Sequence, residues 1–197
     1  MTAQIVYEDE ETGLIHCRGS QAGESALIDW PTGERDGYQG SYYDVVLNSE
    51  YVGIYLRMAT LSEAIGETED AAYYTAKSEK LKETLLTYAY DEENGCFYDS
   101  LNQNLQPTQH SSTHATAYAL TYGVFENQAM ADEMCGFVYN KCKDEFKGSV
   151  YFTYFILKGL YVGNHGDYAE ALMTNPKVGE NVKTFASVLD DLNCTIS

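Results

Sequence analysis

The densest chemistry in the sequence lies in one short stretch, Leu27-Ile28-Asp29-Trp30-Pro31-Thr32-Gly33-Glu34-Arg35-Asp36-Gly37-Tyr38. It brings carboxylates, a guanidinium and aromatic rings together just before a long helical pattern. Trp30 offers a flat apolar face that packs on the C–H face of a pyranose. Asp29, Arg35 and Asp36 offer charge-strengthened hydrogen bonds to its hydroxyls. The stretch reads as a saccharide subsite; the competing reading is a loop locked by an ion pair between Arg35 and an aspartate, with Trp30 as a plug.

Downstream, His110-Ser111-Ser112-Thr113-His114 sets two histidines four apart, a spacing that shares one helix face. The glutamate and third ligand of a zinc hydrolase are not beside them, so no metal is expected. His114 is kept as a further sugar contact. A Ser/His/Asp set can be written from Ser111 or Ser112, His114 and Asp36, but no nucleophile elbow accompanies it. Asp91-Glu92-Glu93-Asn94-Gly95 places its glycine one position too early for a calcium loop and reads as an acidic turn. No cofactor motif appears.

The elements that must position these residues are mostly helical. Asp44 to Ile65 is apolar around nearly its whole circumference and predicts a helix buried on all sides. Glu67 to Tyr90 carries one stripe, Tyr74, Leu81, Leu85 and Tyr88, opposite Glu79, Lys80, Lys82 and Glu83, and predicts an outer helix. The alternation repeats: His110 to Tyr122 inner, Asn127 to Lys143 outer, Ser149 to Tyr161 inner, Asp167 to Met173 outer, with Asn181 to Asp191 starting another inner one. Gly66, Gly123 and Gly163 each precede Asp70, Asn127 or Asp167 by four, a glycine C-cap followed by an N-cap. These turns lie 57 and then 40 residues apart, so the repeat is structural and not a strict sequence period. Residues 1–43 read as an N-terminal loop and strand segment, and 44–197 as helical hairpins, with a short β excursion around 91–107. The fold class is all-α, and hairpins with a buried inner member fit part of an α/α barrel better than an open superhelix.

Bulk properties narrow the function. The 30 acidic against 12 basic residues give a net charge of −18, which repels nucleic acid and anionic membrane surfaces. No apolar run reaches the roughly 18 residues of a membrane span, and Glu8 to Glu11 replace the basic start of a signal peptide, so an intracellular setting is favoured. The 5 cysteines, odd in number and without a CxxC pair, read as thiols in a reducing compartment. The 18 tyrosines suit either sugar binding or plain core packing.

The Asp29-Trp30-Pro31 and Arg35-Asp36-Gly37-Tyr38 pairing, the His110-to-Leu120 block and Gly166-Asp167-Tyr168-Ala169-Glu170-Ala171-Leu172-Met173, in that order, resemble the six-hairpin domain of glycoside hydrolase family 78, the α-L-rhamnosidases. That resemblance implies an (α/α)6 barrel cleaving terminal α-L-rhamnose with inversion, between a carboxylic acid and a water-activating carboxylate. It further implies an acid upstream of residue 1 and a base beyond Leu192-Asn193-Cys194-Thr195-Ile196-Ser197, so this chain alone is expected to be inactive. Asp29, Trp30, Arg35, Asp36 and His114 are then substrate contacts, and inner helices lacking neighbours expose apolar faces suited to self-association. The alternative is a non-catalytic helical-repeat module that binds protein.

Overall fold

The computed structural model describes residues 6–17 and 27–174, together with 184 and 187. Of the expected helix over 181–191 only residues 184 and 187 are described, and the terminal stretch 192–197 falls outside the described residues. Helices α1 (Val45–Ala64), α2 (Thr68–Ala89), α3 (Thr113–Thr121), α4 (Gln128–Cys142), α5 (Val150–Val162) and α6 (Gly166–Thr174) follow the expected order. They form two layers. In the inner row α3 lies between α1 and α5, while α2 backs α1, α4 backs α3, and α6 packs on α5 and α4.

Only α3 is an inner helix buried on every side, with all of Thr113 to Thr121 shielded from solvent. Its three alanines and three threonines let neighbours approach closely. Gly159 of α5, for instance, has no room for a side chain, since a Cβ there would come 3.0 Å from the Ala117 carbonyl oxygen. The all-round burial expected of α1 does not hold: Ile54, Leu56, Leu61 and Ile65 are exposed, Ile65 by 77 %. On α5, Tyr151, Tyr154 and Tyr161 are exposed as well. The reason is placement: α1 and α5 each meet an inner neighbour on one flank only among the described residues, so apolar residues on the other flank face solvent.

The inner-to-outer turns close alike, each by a backbone bond spanning five residues: Glu67 N to Ser62 O, Val124 N to Ala119 O, and His165 N to Leu160 O. Gly66 and Gly123 take the left-handed conformation, at φ 86° and 74°. In the third turn that role falls to Asn164, at φ 66°, and not to Gly163. Gly163 is required for space instead, because a Cβ there would stand 2.3 Å from Cys135 Sγ on α4. Asn127 caps α4 by accepting from Met130 N. Asp70 is no cap; it lies inside the first turn of α2, where its charge favours the helix dipole.

Short strands link the helices to the chain's N-terminal part. β1 (Val6–Glu8) and β2 (Ile15–Cys17) form an antiparallel hairpin; β3 (Tyr43–Asp44) pairs with β6 (Ser100–Leu101), and β4 (Tyr90–Asp91) with β5 (Cys96–Phe97). The hairpin β1–β2 is fastened by Asn48 of α1, fully buried, whose side chain bonds Ile15 N at 2.7 Å, Ile15 O at 3.0 Å and Asp44 O at 2.8 Å. Asn48→Ala leaves those backbone groups unpaired in the interior and is expected to lower stability by about 2 kcal/mol, read from the urea midpoint. The acidic turn 91–95 closes on itself, Asp91 Oδ1 accepting from Glu93 N and Asn94 N. No cluster of His, Cys, Asp or Glu fit for a metal occurs among the described residues.

Candidate functional site

The loop 27–38 is anchored first by Ile28, wholly buried, which sets the next residue, Asp29, at the junction of α3 and α5. The Asp29 carboxylate is 1 % exposed and saturated with donors. Oδ2 accepts from Ser149 N at 2.9 Å and faces His114 Nε2 at 3.1 Å; Oδ1 accepts from Trp30 N at 2.8 Å and from the Ser149 hydroxyl. Burial pushes its pKa up, but the bonds from His114 and Ser149 outweigh that, and the group is held below the ordinary carboxylate value. Ser149 in turn is the N-cap of α5, so Asp29 ties the loop to that helix start.

Asp36 does the same for α3. Lifted into the left-handed region at φ 48°, it directs Oδ2 to Thr113 N and Thr113 Oγ1, both at 2.9 Å. A third carboxylate completes the frame. Asp99, fully buried just ahead of β6, accepts from Ser112 N at 2.7 Å through Oδ1, and from Gln39 N at 2.7 Å through Oδ2, which also meets His110 Nδ1 at 2.6 Å. Its carbonyl receives Val45 N at 3.0 Å, the first amide of α1. The starts of α1, α3 and α5 are therefore sewn together at one end of the inner row, where aspartates satisfy the orphan amides of α3 and α5 and complement their dipoles.

The five residues singled out from sequence divide within this frame. Asp29, Asp36 and His114 are brought together around the α3 start. His114 is fully buried, its ring stacked on Phe152 of α5 at 3.6 Å, with Nδ1 lacking a partner among the described residues. Trp30 is 71 % exposed and so is no plug. Among the described residues Arg35 makes no ion pair with an aspartate; its Nε donates to the Asp29 carbonyl at 2.8 Å and closes the loop. The two histidines do not share a helix face, because α3 begins only at Thr113 and His110 sits before it on Asp99. The paper triad does not assemble either, since the Ser112 hydroxyl accepts from Ala115 N and His114 faces Asp29. His165 bridges Asp132 of α4 at 3.0 Å and stacks on Tyr168.

Sequence reading missed Asp99 and Ser149. A lone aspartate inside a strand-like run, Phe97-Tyr98-Asp99-Ser100-Leu101, runs against strand preference and was the available signal. Ser149 ahead of an apolar run is an ordinary N-cap pattern, and nothing local says that its partner lies 120 residues away. A cavity of about 480 Å³ beside the frame is lined by Cys96, Tyr98, His110, Ser111, Phe137 and Lys141. Lys141 Nζ stands 4.0 Å from Asp36 Oδ2 at its edge.

The sequence model of the bacterial alpha-L-rhamnosidase 6 hairpin glycosidase domain matches residues 6–179. No curated protein matches the chain. The rhamnosidase from Klebsiella oxytoca with rhamnose bound is similar in fold, with a TM-score of 0.66 and 14% identity over 93% of this chain and 30% of that one. The family 78 rhamnosidase of Bacillus sp. GL1 gives 0.63 and 20% over 84% of this chain and 16% of that one. The neutral trehalase of Saccharomyces cerevisiae gives 0.53 and 15% over 63% and 28%. The chain thus spans less than a third of the length of these solved structures.

Proposed function

The chain belongs to the bacterial α-L-rhamnosidase six-hairpin glycosidase family, and from that premise we propose that it forms part of a toroid that hydrolyses a terminal α-L-rhamnosyl bond with inversion. In such a reaction one carboxylic acid protonates the glycosidic oxygen, while a carboxylate takes a proton from the water attacking the anomeric carbon. Roughly 6.5–9.5 Å between the two carboxyls leaves room for that water. The aspartates at the helix starts are unsuited to either task. Asp29 and Asp99 are buried and fully bonded, and Asp29 is held ionised below the usual range, the opposite of what a general acid needs. Their role in this reading is to hold the loop that carries Trp30 and Arg35 against the sugar, with the acid and base supplied by other segments.

The observation that carries the reading is the exposed Trp30 on a loop whose neighbouring carboxylates are all tied down. It is the chain's only tryptophan, so its fluorescence reports on the loop alone. L-Rhamnose is expected to change that emission saturably, and Asp36→Ala, which frees the loop from α3, should abolish the change. The chain by itself should not turn over an aryl α-L-rhamnoside; a normal rate would overturn the assignment of acid and base elsewhere. Silence toward rhamnose, with a protein partner captured instead, would favour a binding module.

A further inference from the structure

Glycine inside an α-helix is unfavourable against alanine, because folding fixes a freer backbone and gains no side-chain contact in return. Gly136 stands in the middle of α4, and beyond its own helix no atom lies within 4 Å of where its Cβ would be. Gly159 and Gly163 are crowded by neighbouring elements; Gly136 makes room for none. What it opens is a cavity of about 570 Å³ between α4 and the acidic turn 91–95, lined by Asn94, Glu133, Gly136, Phe137, Asn140 and Lys141.

The turn is set firmly against the helix. A Cβ at Gly95 would come 2.9 Å from Glu133 Cβ, and the Tyr90 hydroxyl donates to Glu133 Oε2 at 3.3 Å. The cavity shares Asn94, Phe137 and Lys141 with the one of about 480 Å³ beside the frame, so the two form one groove that runs on past Tyr98 to His110. Each part has the size of a small-molecule site. At the join, Lys141 Nζ stands over the Phe137 ring at 5.6 Å; at the far end His110 is fixed through Nδ1 by the buried Asp99 at 2.6 Å. None of residues 27–38 lines the groove among the described residues. The carboxylates of Asp91, Glu92, Glu93 and Glu133 outnumber its cations, so an anionic ligand is disfavoured.

We infer that this groove is a second saccharide site, which takes a short neutral oligosaccharide with Gly136 as its floor. Hydroxyls that both donate and accept match walls of amide, ammonium and carboxylate groups, and the C–H face of a sugar ring matches the single aromatic side chain between them, Phe137. A helix stretch without a side chain lets that ring approach the backbone of α4 closely. The site lies apart from the loop that carries Trp30, and the two can fail independently.

The test is calorimetric titration of the full chain with two neutral disaccharides, cellobiose and rutinose, and with the acidic cellobiouronate. Saturable binding of a neutral disaccharide is expected, with cellobiouronate at least about tenfold weaker. Gly136→Leu fills the floor and should weaken binding at least about tenfold without lowering the thermal midpoint. Gly136→Ala should raise that midpoint by about 2–4 °C, since the glycine serves no packing; a lowered midpoint would show that the fold needs it and would overturn the inference. Affinity in Gly136→Leu within about twofold of wild type, or equal affinity for cellobiouronate, would overturn it too. Should neither neutral disaccharide bind, the groove is refuted, and a Trp30 response to L-rhamnose in the same sample would leave the reading of the loop standing. If Gly136→Leu does not fold, Lys141→Ala on the exposed edge decides: loss of affinity supports the groove and unchanged affinity refutes it.

Discussion

Asp29→Ala is expected to destabilise the protein by about 3–5 kcal/mol, the cost of breaking a buried charged network by deleting one partner. The substitution leaves Ser149 N, the Ser149 hydroxyl and His114 Nε2 facing a void in the interior. Urea unfolding should show a lower midpoint at unchanged slope. Asp29→Asn keeps the volume but turns one acceptor oxygen into a donor that faces other donors, so an intermediate loss is expected. The same network gives a pH signature. The folded pKa of Asp29 lies below its reference value of 3.8, so its stabilisation is fully present above the unfolded-state pKa. It is lost as pH falls through the depressed folded pKa. The stability gap between wild type and Asp29→Asn should be flat above about pH 5 and close on acidification below the reference value. A gap that stays constant down to the acid transition would refute the assignment of Asp29 as an ionised hub.

Phe152→Ala should cost a similar amount, about 3–5 kcal/mol, by a different mechanism: loss of a buried ring and the cavity left behind. Phe152 is fully buried, with His114 stacked at 3.6 Å and the Tyr118 and Phe146 rings parallel to it at 6.1 and 6.4 Å. The space cannot readily collapse. Gly148 is already pressed between Phe146 and Phe152, with 2.6 Å from a notional Cβ to each ring, so the adjoining backbone has no side chain to offer. For a chain of this length the midpoint of thermal unfolding should fall on the order of 10 °C. A fall of only a degree or two would mean that α3 and α5 are not held by this stack. Because the ring also backs His114, weakened anchorage of the 27–38 loop should follow, visible in the emission of Trp30.

Much of the scaffold was legible residue by residue. The apolar run from Val45, the stripe containing Leu81 and Leu85, and Ser149 ahead of Phe152 are local signals, and the helices start and stop within a few residues of where those signals put them. Gly66 and Gly123 were legible as helix ends because a left-handed residue favours glycine wherever it occurs. Gly163 misled for the same reason: a glycine kept for close packing against Cys135 looks identical, in sequence, to one kept for its backbone angle. The exposed flank of α1 was invisible, since Leu61 and Ile65 read as core until it is known which sides have neighbours.

The sequence by itself determined the helical hairpins, their inner and outer order, and the stretch where carboxylates and tryptophan meet. These follow from periodicity and capping, which act over a few residues. Only the tertiary structure decided what each polar side chain does. Asp29 and His114, read as sugar contacts, lie buried against Ser149 and Phe152, and Trp30 alone of the five is exposed. Whether a carboxylate holds the fold or awaits a ligand depends on which amides lie within about 3 Å of it, and those are brought there by contacts between residues far apart in the chain.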